Sequence, residues 1–211
     1  MTEGYFDFAK PRPEELLVGE ATFVAFDFET TGLYPERDRI IEIGAVRFTT
    51  VLGPSERFKT FLDPGIPIPL SASEIHGITD DMVRGMPAIS TVLPRFIDFI
   101  GDSTLVAHNI NFDKAFLDTA MVNDGLKPLQ NPMIDTCTLS RKVLKHHASY
   151  SLQALARDLQ FASGTAHRAP DDAELARLLL LHIFSAIKNI ESFTVAKLIT
   201  FSNSRRKAYE S

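Results

Sequence analysis

The stretch Thr22-Phe23-Val24-Ala25-Phe26-Asp27-Phe28-Glu29-Thr30-Thr31-Gly32-Leu33 decides how the rest of the chain is understood. Its aromatic and β-branched residues predict a strand, which Gly32 ends in a turn. Alternation along that strand sends Asp27 and Glu29 to one face and Val24, Phe26 and Phe28 to the other. Two anions side by side repel, and burial without partners is costly. A hard divalent cation held by oxygen ligands, such as magnesium or manganese, would relieve both problems. The plain alternative is a half-exposed edge strand with two solvated acids. The segment alone does not choose between them.

A chain of 211 residues, 45% of them hydrophobic, is long enough for one domain with a substantial core. Its net charge of −5 argues against a large basic nucleic-acid surface, although carboxylates that bind metal would make a loaded cleft more positive than the count suggests. The single cysteine, Cys137, rules out an internal disulfide and fits a reducing cytoplasm. No secretory signal is seen at the N-terminus. The longest apolar run, Leu178 to Ile187, is broken by His182 and is short of the ~20 residues of a membrane span. The expectation is a soluble intracellular protein without a membrane partner.

Residues 1–20 hold Pro11, Pro13 and several charges, and are expected to form a flexible or loosely docked arm. Two further strands, Arg39 to Phe48 and Arg57 to Leu62, follow the first with short connections and suggest an antiparallel meander. Ser73 to Met82 suggests two short helical turns, with Thr79 as N-cap of the second. Ala88 to Ile100 has helical spacing, with a kink or break expected at Pro94. Thr104 to Ala107 is a short apolar strand leading into a helix that ends near Asn123, and Pro132 to Thr138 suggests a last strand. Helices are expected over Thr138–Leu144, Ser151–Leu159 and Pro170–Ile187. Residues 188–211 form an extension, mildly apolar at first and basic at Arg205, Arg206 and Lys207. Strands first, then strands alternating with helices, predict an α/β domain over residues 21–187: a mixed β-sheet flanked by helices.

Asp113 falls in the first turn of the helix after the Leu105 strand, with Asn109 at the junction. Asp172 falls in the first turn of the last long helix, with Asp171 beside it and His167 just ahead. Each acid, taken alone, is explained by the helix macrodipole. A lone loop histidine is usually incidental.

Three motifs occur in order: Phe-Asp-Phe-Glu-Thr-Thr-Gly at 26–32, His-Asn-x-x-Phe-Asp at 108–113 and His-Arg-Ala-x-x-Asp-Ala at 167–173. Together they resemble the exonuclease motifs of the DEDD superfamily in its histidine-bearing branch, DEDDh. The proofreading subunit of bacterial DNA polymerase III and the ribonuclease T and oligoribonuclease groups belong there. Ile75-His76-Gly77-Ile78-Thr79 resembles a further element of the proofreading members.

The resemblance implies a ribonuclease-H-like fold and two-metal hydrolysis by a 3′→5′ exonuclease that releases nucleoside 5′-monophosphates. Asp27, Glu29 and Asp172 would hold one Mg2+ or Mn2+ ion; Asp27 and, through water, Asp113 would hold a second. His167 would be the general base, since imidazole ordinarily titrates near neutrality. Thr30, Thr31 and Leu33 would cradle the 3′-terminal nucleotide, with Phe112 against a base and His76 and Asn109 as further substrate contacts. Single-stranded or frayed DNA 3′ ends are the expected substrate, and a replicative polymerase is a possible partner through residues 188–211. RNA trimming is the alternative within enzymes. A mainly structural polymerase accessory subunit is the alternative outside them.

Overall fold

The computed structural model describes residues 11–161 and 167–204. Five strands, β1 (Phe23–Thr30), β2 (Ile40–Thr49), β3 (Gly53–Phe61), β4 (Thr104–Ala107) and β5 (Met133–Asp135), form one sheet in the order β3-β2-β1-β4-β5. β1 to β3 are the expected antiparallel meander, while β4 runs parallel to β1 and β5 parallel to β4. The helices are α1 (Leu70–His76), α2 (Asp80–Val83), α3 (Ile89–Ile100), α4 (Ile110–Asn123), α5 (Thr136–Val143), α6 (Leu152–Asp158), α7 (Ala169–Ala186) and α8 (Val195–Asn203). This is a mixed sheet flanked by helices.

The alternation of β1 divides two cores. Val24, Phe26 and Phe28 face Val92, Leu93, Phe96 and Ile100 of α3 and Phe116, Leu117 and Met121 of α4. Phe96 is the hub of an aromatic cluster, with ring centroids 5.8 Å from Phe28, 6.4 Å from Phe26 and 5.2 Å from Phe58. On the opposite face Phe23 and Ala25 meet Leu175, Leu179, Leu180 and Ile183 of α7. Asp27 and Glu29 continue that second face, so the acids point toward the start of α7.

Of the kink or break expected at Pro94, the break does not occur: α3 runs through it. The proline is exposed, and the apolar stripe Val92, Leu93, Phe96 and Ile100 holds the helix on the sheet across it. Thr79 stands at the N-cap of α2, but its side chain makes no capping bond. The extensions flanking the domain meet each other: Leu17 and Thr194 form an isolated antiparallel bridge, and Val18 N–H donates to the Phe193 carbonyl at 2.9 Å. Val18, Val195 and Leu198 are buried in the α7-side core. The arm's first ten residues, the Gly164 loop segment and the basic Arg205–Lys207 end lie outside the described residues. Among the described residues, no helix is long and apolar enough to cross a membrane.

Candidate active site

One glycine sets how closely α7 can approach the sheet. Gly44 lies opposite Asp27 in the β1–β2 ladder. A Cβ there would overlap the Ala169 carbonyl carbon and the Pro170 nitrogen. Fully buried Ala169 and Ala173 let the first turns of α7 sit flat on β1 and β2. The result is that Asp172 meets the acidic end of β1. One ligand atom from each of Asp27, Glu29 and Asp172 lies within 4.8 Å of the other two.

Asp113 approaches β1 from the other side. β4 pairs with β1 only along Phe23–Ala25, which leaves the Phe28 amide without a strand partner there. Asp113 Oδ1 accepts that N–H at 3.0 Å, from a buried position in the first turn of α4. The fourth acid is thus fixed to the backbone between Asp27 and Glu29.

Such crowding is costly to charge. Burial raises the Asp27 carboxyl well above the ordinary range, and the charges of Asp113, Asp172, Glu29 and Glu42 add to it. Burial, then Asp172 and Glu42, push Glu29 up to about 8. Asp113 is pushed up to about 8 by burial, against the opposing Phe28 hydrogen bond. Asp172 rises to about 6 through burial, moderated by the nearby His167 charge and by Gln153, whose Nε2 donates to Asp172 Oδ1 at 2.6 Å. Hard oxygen donors that resist ionisation next to one another fit a divalent cation, which would stabilise all of their charged forms together.

His167 is exposed, one residue before Arg168 at the N-cap of α7, with a left-handed backbone (φ 59°). Thr30, Thr31, Leu33, His76 and Phe112 line one cleft together with Glu29. Its floor is rigid, because Thr31 N–H donates to the Arg39 carbonyl at 2.9 Å and Arg39 N–H to Thr31 Oγ1 at 3.0 Å. His76 is buried: Nδ1 accepts the Ile78 N–H at 3.0 Å, and burial lowers its pKa, which favours the neutral ring. Asn109 does not join this cleft lining. It is the exposed, left-handed N-cap of α4, with its N–H donating to Asp135 Oδ1 at 2.9 Å.

Sequence reasoning missed several supporting residues. His108, part of the second motif, is a strut: Nδ1 meets Thr136 Oγ1 at 3.0 Å and Nε2 meets the Tyr150 carbonyl at 2.9 Å. Gln153 carried no signal beyond its place on α6. Glu42 could have been noticed as an acid inside an otherwise apolar strand.

The family model for the Exonuclease family, RNase_T, matches residues 24–180. The chain belongs to this exonuclease family. Its mixed sheet and its three motifs are those expected of the DnaQ-like branch of that family. It is 40% identical over 168 residues to the PolC-type DNA polymerase III of Clostridium perfringens, a match covering 79% of this chain but 11% of that polymerase. Among solved structures, exonuclease X in complex with 5′-overhanging duplex DNA superposes with a TM-score of 0.66 at 26% identity, covering 86% of this chain and 99% of that one. The zinc-bound complex of E. coli exonuclease I with single-stranded DNA shares the fold, at TM-score 0.73 and 17% identity over 81% of this chain and 42% of that one.

Proposed function

We propose that this exonuclease removes nucleotides from unpaired DNA 3′ ends with magnesium or manganese, releasing nucleoside 5′-monophosphates during proofreading or repair. The observation that carries the reading is the meeting of Asp27, Glu29 and Asp172 beside a cleft of about 530 Å³ lined by Thr30, Thr31, Leu33, His76 and Phe112. Asp27, Glu29 and Asp172 would hold one ion, and Asp27 with Asp113 a second. Bound there, the ions would supply positive charge to both the attacking and the leaving oxygen of an in-line displacement.

The chain's own groups do the rest. The cleft orients the terminal nucleotide, with the Phe112 face available to any base. The His167 imidazole accepts a proton from the attacking water. Magnesium's preference for oxygen leaves that ring free for this task.

The relatedness to DNA polymerases and to an exonuclease solved on DNA favours DNA over RNA. A net charge of −5 provides few cationic phosphate contacts, so a tethering partner would supply residence time. In this reading residues 21–187 are the catalytic module, the partner is a replicative polymerase in the cytoplasm, and residues 188–211 are its docking segment. Val195 and Leu198 face the core, so on α8 the exposed side at Ala196, Lys197 and Thr200 is open for that contact.

Matched labelled DNA and RNA strands, digested with and without magnesium or manganese, test the proposal. Stepwise shortening of DNA from the 3′ end with 5′-mononucleotide products is expected. Faster digestion of RNA would overturn the substrate, and undiminished cleavage in chelator would overturn the metal.

A further inference from the structure

Glu42 is a fifth carboxylate next to the site, and it is not free to join the other acids. It stands on β2 directly opposite Glu29, with its side chain only 4% exposed. Arg168 grips it with two parallel bonds, Nη2 to Oε1 at 2.6 Å and Nε to Oε2 at 3.0 Å. The Ala169 N–H also donates to Oε2, at 3.1 Å. Both oxygens are therefore committed to the two residues that follow His167. The Arg168 guanidinium lies over the Phe61 ring, 5.1 Å from its centroid, which closes its far side.

The same residue also fixes the helix start. The Arg168 carbonyl accepts the N–H groups of Asp171 and Asp172, each at 2.9 Å. Arg168 is thus held by its side chain to β2 and by its backbone to Asp172. Immediately before it, His167 has a left-handed backbone (φ 59°), uncommon for a residue with a side chain.

We propose that the Glu42–Arg168 pair is a positioning device: it anchors the junction between loop and α7 so that His167 stays aligned with the carboxylate cluster. This rests on the nuclease reading given above. Neither residue touches substrate or ion in this account. Their work is to hold against β2 the stretch of backbone that immediately follows the base. Small misplacements of a reacting group cost up to about 10²-fold in rate, so an anchor of this kind is worth having.

The test compares Glu42→Gln, Arg168→Ala, Arg168→Lys and the Glu42→Gln/Arg168→Ala double variant in the full chain. Amide hydrogen exchange at 167–172 is read together with single-turnover cleavage of an unpaired DNA 3′ end and the midpoint of manganese-induced thermal stabilisation. Exchange at the Ala169 amide should quicken at least about tenfold in the single variants, while β1 and the middle of α7 stay protected. Single-turnover rate should fall by about 10–100-fold, with KM and the manganese midpoint within about twofold of wild type. The double variant should be no slower than the slower single variant, because both remove one device. Arg168→Lys should behave like Arg168→Ala, since an ammonium cannot reproduce the two-bond fork; being the mildest change, it keeps the test open should the others fold poorly.

Wild-type rates in the variants would overturn the proposal. So would a rate loss matched by a weaker manganese midpoint, which would make the pair a support for the ligands. If the wild-type chain itself cleaves no 3′ end, the nuclease reading fails; unchanged exchange at 167–169 would separately defeat the anchoring.

Discussion

Gly44 faces Asp27 across the β1–β2 ladder, and the space above Gly44 where a side chain would stand is filled by the Ala169–Pro170 backbone. The two positions form a single device. The first supplies an acid, and the second lets the helix carrying Asp172 come down onto it. Gly44→Ala must push against backbone, so α7 shifts outward. The expected result is a loss of about 1–3 kcal/mol in denaturant unfolding and a larger fractional loss of hydrolysis than of folded protein. A fully active, equally stable variant would show that the close approach has no functional weight.

Asp27→Ala should abolish hydrolysis while preserving the fold, because the residue it removes is among the most unfavourably placed charges in the molecule. Glu29→Ala should do the same. In chelator both variants should melt at or above the wild-type temperature, since relief of like-charge crowding favours the folded state. Appreciable turnover by purified Asp27→Ala protein would contradict the assignment of the site.

The acid cluster also sets an unusual pH response for metal-free protein. Glu29 moves from an ordinary 4.5 to about 8 and Asp172 from 3.8 to about 6 on folding. The folded chain therefore keeps protons that the unfolded chain has already released. Stability from these groups is full below the unfolded values and declines as pH climbs toward 8. Melting in chelator should fall between about pH 5.5 and pH 8, and saturating manganese should flatten the decline by binding the charged cluster. Metal-free protein that is steadily more stable toward pH 8, and indifferent to manganese, would refute this.

His167→Ala removes an exposed side chain and should leave the melting temperature nearly untouched. Turnover should fall by about 10²–10⁴-fold, while manganese stabilises the variant as it does wild type. Near-normal turnover would make His167 a bystander and send the search for the base elsewhere.

Phe96→Ala is the contrasting case. It empties the centre of the aromatic cluster on the face of β1 away from the acids. Stability should drop by about 3–5 kcal/mol, and activity per folded molecule should stay close to wild type. Urea unfolding with parallel single-turnover assays separates the two effects.

The acids of the site were legible through the three motifs taken together, since each acid alone has an ordinary explanation. Asp27 and Glu29 stand out from an apolar strand by alternation, and Asp113 and Asp172 mark the first turns of two helices. What holds those acids in place was not legible. Glu42 and Arg168 are 126 residues apart, and no local pattern pairs them. Gly44 looks like an ordinary weakness in a strand until the backbone it admits is known. Pro94 shows the reverse: a local rule allows a kink or a break, and α3 runs through without the break, with Val92, Leu93 and Phe96 packed on the sheet. Asn109, expected as a substrate contact, also serves as the left-handed N-cap of α4, a backbone role its place in the motif does not announce.

The bridge between Leu17 and Thr194 brings two points at opposite ends of the domain side by side. A unit clasped in this way can be spliced into a loop of a host protein with both junctions a few ångströms apart, so neither the guest sheet nor the host fold need stretch to accept it. The polymerases that contain a homologous stretch are far longer than it, and a domain with adjoining ends is suited to being carried inside a larger machine as readily as beside one.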